Sequence, residues 1–137
     1  MELTLELAEK VLASQPFSVL LGTRVVAFGD GGAVLELDVR DDLRQQNGYL
    51  HGGVLAYAAD NAITFAGGTA LGPSVLTGGF TITYLRPAAG PILRAEARVA
   101  HASSRQATCT CELFVRDEHG DTMLCAIAQG TVIAVRA

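Results

Sequence analysis

The sequence predicts an α+β domain in which one long antiparallel sheet packs on a single buried helix. Three observations carry that reading. The stretch from about Gly52 to Ala66 is apolar on nearly every side, and a helix without a polar face is a buried helix. Several segments alternate strictly, such as Leu35, Leu37 and Val39 against Glu36, Asp38 and Arg40, which is the period of a half-buried strand. Four strand-like segments follow the helix in sequence with short connections, which predicts antiparallel pairing.

The elements follow in order. Within an N-terminal helical segment of residues 1–15, Leu3 to Ser14 reads as a short amphipathic helix. Leu3, Leu7 and Val11 line one side, with Leu5, Ala8 and Leu12 beside them. Gln15-Pro16 ends it, because the residue before proline avoids helical geometry. Thr23–Phe28 and Ala33–Val39 read as strands around Gly29-Asp30-Gly31-Gly32. The central helix spans about 52–66, and Gly67-Gly68 fits a C-terminal stop. Val75–Arg86 is rich in Thr, Ile and Tyr and closes at Pro87. Ile92–His101 alternates Leu93, Ala95, Ala97 and Val99 with charged residues. Arg105–Arg116 and Thr122–Val135 flank the hairpin turn Asp117–Asp121.

Composition bounds the function. The chain has 137 residues, half of them hydrophobic and 18% charged, enough for one domain spanning 1–137 with a real core. A net charge of −4 with no basic patch argues against nucleic-acid binding. Asp60, Asn61 and the closing glycines argue against reading the apolar run as a membrane span. Met1 to Glu6 contains no basic stretch of the signal-peptide kind. The three cysteines, Cys109, Cys111 and Cys125, show no zinc-ligand spacing and read as small apolar side chains of a reducing, cytoplasmic protein. No metal site is expected.

The chemistry concentrates between Gln45 and Gly68. If the helix starts at Gly52 or Gly53, its first N–H groups lack intrahelical partners and carry the positive end of the helix dipole. Glycine lets a ligand approach that backbone, so the turn suits an oxyanion; a tight turn that merely needs glycine is the alternative. Asp60 is a carboxylate inside an apolar helix, costly unless paired or solvated. It suits a nucleophile or a general base, or else a structural acid bonded to Asn61, Thr64 or a neighbouring strand. Gly52 and Asp60 are eight residues apart, about 12 Å along a helix at ~1.5 Å per residue, whereas reacting groups meet at about 3 Å. If both act on one carbon, they come from different subunits of a dimer with two composite sites.

Asn47-Gly48-x-x-His51-Gly52-Gly53, Asp60 nine positions after His51, Thr81–Pro87 and Ala128-Gln129-Gly130-Thr131 together resemble the hotdog-fold acyl-CoA thioesterases, in particular the phenylacetate-degradation (PaaI-like) branch. The resemblance covers about residues 15 to 135. It implies a long antiparallel sheet wrapped around one helix, a homodimer with shared sites that pairs further into a tetramer, and hydrolysis of a small or medium acyl-CoA, aromatic acyl groups included. It implies Asp60 as the catalytic carboxylate, the Gly52 N–H as oxyanion donor, His51 as an orienting residue and Gly53 as support for the turn. Coenzyme A belongs to the substrate, and no separate cofactor is implied.

The chain departs from the pattern where many members carry Asn six positions before the His. Gln45 stands there, with the same amide on a longer arm, while Asn47 takes that role or is a turn residue beside Gly48. Thr77 falls near a position where some relatives place a hydroxyl that helps hold the attacking water, and Thr64, one turn after Asp60, is placed to bond it, although plain packing is the commoner role for each. Arg105 first and Arg86 second are the candidate cations for the coenzyme A phosphates, with a solvated surface arginine as the alternative for each. Tyr49, Leu50, Tyr57 and Phe80 are candidate pocket residues. The competing functions are a hotdog dehydratase or hydratase and a non-catalytic acyl-CoA sensor. The first usually needs a catalytic His free of such a turn, and an intact Asp60 speaks against the second.

Overall fold

A computed structural model describes residues 3–135, so the first two and last two residues, including the start of the expected N-terminal helix, lie outside the described residues. The elements are α1 (Leu5–Ala13), α2 (Pro16–Leu21), β1 (Arg24–Gly29), β2 (Gly32–Asp38), a single 3-10 turn (Asp41–Leu43), α3 (Gly52–Leu71), β3 (Val75–Tyr84), β4 (Ile92–Ala102), β5 (Gln106–Arg116) and β6 (Thr122–Ala134). Thr4 caps α1, its hydroxyl accepting from the Leu7 N–H at 3.1 Å. Pro16 ends α1 as expected but also starts α2, a helix not anticipated: proline at the first helical position loses only an N–H that has no partner anyway.

The strands form one antiparallel sheet in the order β1-β2-β4-β5-β6-β3. Sheet order is therefore not chain order. The connection from β3 to β4 carries Pro87, Gly90 and Pro91 and no hairpin turn. It delivers the chain to the edge of β2, where the Val39 N–H donates to the Pro91 carbonyl at 2.8 Å. This leaves β3 paired only with β6, with its other side open.

α3 lies in the concave face and touches every strand. Ala59, Ala62, Ile63 and Ala66 are fully buried against inward residues such as Leu35, Leu93, Leu113 and Val132. The helix runs on to Leu71 rather than stopping at Ala66. Gly67 and Gly68 sit inside it because the sheet comes close: a Cβ on Gly67 would lie 2.6 Å from the Val132 Cβ. The stop is Gly72, whose φ of +96° is open to glycine.

On the convex face, Glu36 is buried and held by Arg94 at 2.8 Å, Arg116 at 3.5 Å and Arg24 at 3.8 Å, so these arginines knit strands together. Cys109, Cys111 and Cys125 are buried and unpaired. Burial pushes their thiols up to about 11, 12 and 11 respectively. None of the helices among the described residues is long and apolar enough to cross a membrane.

Candidate active site

The start of α3 is built from His51 outward. His51 takes an extended conformation as the N-cap, and its Nδ1 accepts from the Gly53 N–H at 2.8 Å. The ring therefore carries its proton on Nε2 when it caps the helix neutral. The Val54 N–H turns back to the His51 carbonyl at 2.9 Å. Among the described residues the Gly52 N–H has no acceptor, so of the first N–H groups it is the one left to point at a ligand. Tyr84, at the end of β3, donates its hydroxyl to the Gly52 carbonyl at 2.9 Å. Its ring leaves room for glycine there and little more, since a Cβ on Gly52 would sit 3.3 Å from it.

An open groove of about 480 Å³ runs past this helix start, lined by Gly52, Gln45, Asn47, Tyr84 and Arg86. Residues 45–48 form its rim as a tight turn, with the Gly48 N–H on the Gln45 carbonyl at 3.0 Å and Gly48 at φ +88°. The Gln45 side-chain oxygen accepts from the Asn47 N–H, which leaves the Gln45 NH₂ without a partner among the described residues, and both residues border the groove. Tyr49 and Leu50 border the same groove.

Asp60 lies two turns along α3, half-buried. Its Oδ1 accepts from the Thr77 hydroxyl of β3 and lies 3.5 Å from the Thr64 hydroxyl. The Thr64 and Thr77 hydroxyls are 2.6 Å apart, and Thr64 also reaches the Asp60 carbonyl at 2.8 Å. Thr77 is thus the hydroxyl donor to Asp60, with Thr64 behind it, and among the described residues no cation contacts the carboxylate and Oδ2 has no partner. One carboxylate oxygen is thereby held in place while the other is left to meet a water. Asn61, the next residue, does not bond Asp60. Its amide NH₂ faces Gln15 Oε1, Ser18 Oγ and the Tyr57 hydroxyl, each at 3.2 Å.

The helix start and the acid do not meet within one chain. Gly52 is tied to Tyr84 and Asp60 to Thr77, seven residues apart on β3, or about 23 Å of strand at ~3.3 Å per residue. The two candidate cations divide in the same way. Arg86 lies in the Gly52 groove, while Arg105 lies near the opposite end of β3, its carbonyl accepting from the Ala134 N–H beside Val75. Phe80 is half-buried at the middle of β3. Tyr57 is committed to the α2 side, within 2.6 Å of the Ser18 hydroxyl and 2.8 Å of that of Thr23.

Two features escaped sequence reasoning. One is the hold of Tyr84 on Gly52, 32 positions away. The other is the network Gln15–Ser18–Tyr57–Asn61, whose only local signal is Tyr57 and Asn61 at helical i,i+4 spacing.

Known proteins share the fold and sequence of this chain in part. The family model of the thioesterase superfamily matches residues 47–121, from the turn before α3 into the last hairpin. The chain is 28% identical over 107 residues to a 1,4-dihydroxy-2-naphthoyl-CoA hydrolase of Listeria monocytogenes, covering 77% of this chain and 85% of that protein. A thioesterase family protein of Silicibacter pomeroyi superposes with a TM-score of 0.87 at 26% identity, over 93% of this chain and 95% of that one. A variant of the phenylacetic acid degradation protein PaaI of Thermus thermophilus does so at 0.76 and 31% identity, over 88% and 100%. With the sheet wrapped on α3, and the family match running through both the glycine turn and the acid, the chain belongs to the thioesterase superfamily and is a thioester hydrolase of the hotdog fold.

Proposed function

We propose that the protein hydrolyses acyl-CoA thioesters at two sites shared across a homodimer, each site taking Asp60, Thr64 and Thr77 from one subunit and the Gly52 turn from the other. The observation that carries this is the separation of a pre-aimed carboxylate from an unpartnered backbone donor along one open edge strand. An edge of ten residues with one free side is a template for pairing. Antiparallel pairing of two β3 strands about a two-fold axis at Thr81 sets Thr77 opposite Tyr84 of the partner subunit, once the bulge between Thr77 and Gly79 is counted. That brings Asp60 towards Gly52 of the partner subunit and closes the edge. It also brings Arg86 and Arg105 of the partner subunit to the same end of the joined sheet, where the coenzyme A phosphates would lie. Further pairing into a dimer of dimers uses other surfaces.

The chemistry follows from the atoms present. Asp60, its Oδ1 steadied by Thr77 and its other oxygen free, takes a proton from water as the water oxygen bonds to the thioester carbon. Thr64 and Thr77 hold that water near the carboxylate. The carbonyl oxygen becomes negative and accepts from the Gly52 N–H of the partner subunit, at the positive end of α3. Collapse breaks the carbon–sulfur bond, coenzyme A leaves as a thiolate, and the proton held by Asp60 returns to it. His51 keeps the Gly53 N–H occupied, so the turn presents one donor rather than two. The Gln45 amide, and Asn47 beside it, lie where the thioester would pass. This reading places the reaction in the cytoplasm, where acyl-CoA is made.

Thiol release from a panel of acyl-CoAs tests the activity, and mixing two dead variants tests the shared site. Asp60→Asn and Gly52→Pro homodimers should each be inactive. Random mixing places one intact site in half of the dimers, so about a quarter of wild-type activity should return. No recovery despite proven subunit exchange would overturn the shared site. Single turnover in ¹⁸O-water should leave Asp60 unlabelled, and label in Asp60 would show direct attack by the carboxylate instead.

A further inference from the structure

The geometry points to α1 as the wall that sets acyl size: the cavity behind Thr64 takes the far end of the acyl group and fits one ring or a compact branched chain. This rests on the thioesterase reading above and deepens it. A half-open, mostly apolar cavity of about 120 Å³ lies between α1, α3 and β3. Thr64, whose hydroxyl touches Thr77 and the Asp60 backbone, lines it, so its inner end adjoins the catalytic acid. From there it runs between Phe65 of α3 and Val75 of β3 to Leu7 and Val11 of α1.

α1 serves two surfaces at once. Ala8 and Leu12 are buried in the core, while Leu7 and Val11, one turn apart, face the cavity. The wall is also pinned. Gln15, just past α1, accepts from the Ser18 hydroxyl at 2.6 Å and from the Asn61 amide at 3.2 Å, which ties the α1–α2 corner to the helix that carries Asp60. Gln15 and Asn61 both border the cavity. A hydrocarbon-lined cavity of ~150 Å³ holds a benzene molecule. A space of similar size takes a single ring, and Leu7 and Val11 of α1 stand across the path along which a straight medium chain would continue. α1 thereby narrows the substrate class from small or medium acyl groups to compact ones.

The test compares kcat/KM for phenylacetyl-CoA, acetyl-CoA and octanoyl-CoA in the wild type and three variants of the full chain. Leu7→Phe fills the cavity and should lower the phenylacetyl-to-acetyl ratio at least about tenfold, since a single methylene in an apolar pocket is worth 10–200-fold. Leu7→Ala lengthens the cavity and should raise the octanoyl-to-phenylacetyl ratio by about tenfold. Glu9→Gln, on the exposed side of the same helix, should keep both ratios. Equal changes for all three substrates in the Leu7 variants would overturn the assignment while leaving the thioesterase reading intact. If the wild type hydrolyses none of the three, calorimetry decides. The probe is the ketone analogue of phenylacetyl-CoA with a methylene between sulfur and carbonyl. Binding that weakens at least about tenfold in Leu7→Phe keeps the pocket, and binding indifferent to Leu7, or absent from the wild type, removes it.

Discussion

The two halves of α3 do opposite things with the same backbone. The start, His51 to Gly53, is open to solvent, and its chemistry lies in the main chain: an unpartnered N–H, a histidine cap and glycines where side chains would intrude. The later half, Asp60 to Leu71, is buried, and its chemistry lies in one side chain braced from β3. Glycine serves both ends for different reasons. At Gly52 its bareness faces outward, under the Tyr84 ring, whereas at Gly67 it faces inward and lets Val132 approach. A motif of glycines therefore names no function until its surroundings are known.

Changes that break one half should be tellable from changes that break the other. Asp60→Asn keeps shape and removes the base, and kcat should fall by about 10²–10⁴-fold with little change in folding. Steady-state kinetics with circular dichroism checks this. Gly52→Pro deletes the single N–H at issue; its backbone suits the first helical position and the extended His51 before it, while its ring pushes Tyr84 aside by a few tenths of an ångström. A kcat loss of about 10²–10³-fold is expected. A fully active Gly52→Pro enzyme would remove the backbone from catalysis and leave the two halves with no common task. Thr77→Val leaves Asp60 without its hydroxyl donor and should cost about 10–100-fold in kcat, the worth of a hydrogen bond to a charged group. Tyr84→Phe, its counterpart at the other half, loses only a neutral bond to the Gly52 carbonyl and should cost less than about tenfold.

Gly67→Ala should act on stability alone. Overpacking against Val132 costs about 1–3 kcal/mol, readable by urea unfolding at fixed protein concentration. The smallest effect is an expected silence. Burial holds Cys109, Cys111 and Cys125 as thiols far above neutral pH, and the reactive form is the thiolate. Native protein should leave Ellman's reagent uncoloured, so thiol released in the assays is coenzyme A. Colour from the native enzyme alone would contradict the packing of β5 and β6.

The start of α3 was legible in the sequence because a histidine, two glycines and an apolar run coincide there. Its end was not, because Gly67 and Gly68 answer to Val132 on a strand far along the chain. The later strands were legible, β4 from alternation and β3 from its Thr, Ile and Tyr, but not the place of β3, since a proline-bearing crossover looks in sequence much like a loop between neighbours. Asp60 stood out as a lone charge. Its grip by Thr77 rested on resemblance alone, as the two are 17 positions apart. The pinning of α1 through Gln15 and Asn61, 46 positions apart, left no periodic trace, because a polar pair between elements has no spacing rule.

A helix apolar on all sides also has a history. During synthesis α3 is complete while roughly 60 residues, up to the end of β6, have yet to appear, a delay of several seconds at ~5–20 residues per second. For that time its future cover does not exist, and it must stay unformed, be shielded or stick to something else. Lesions in β6 should therefore show first as lost yield in warm cells rather than as altered kinetics in the molecules that mature.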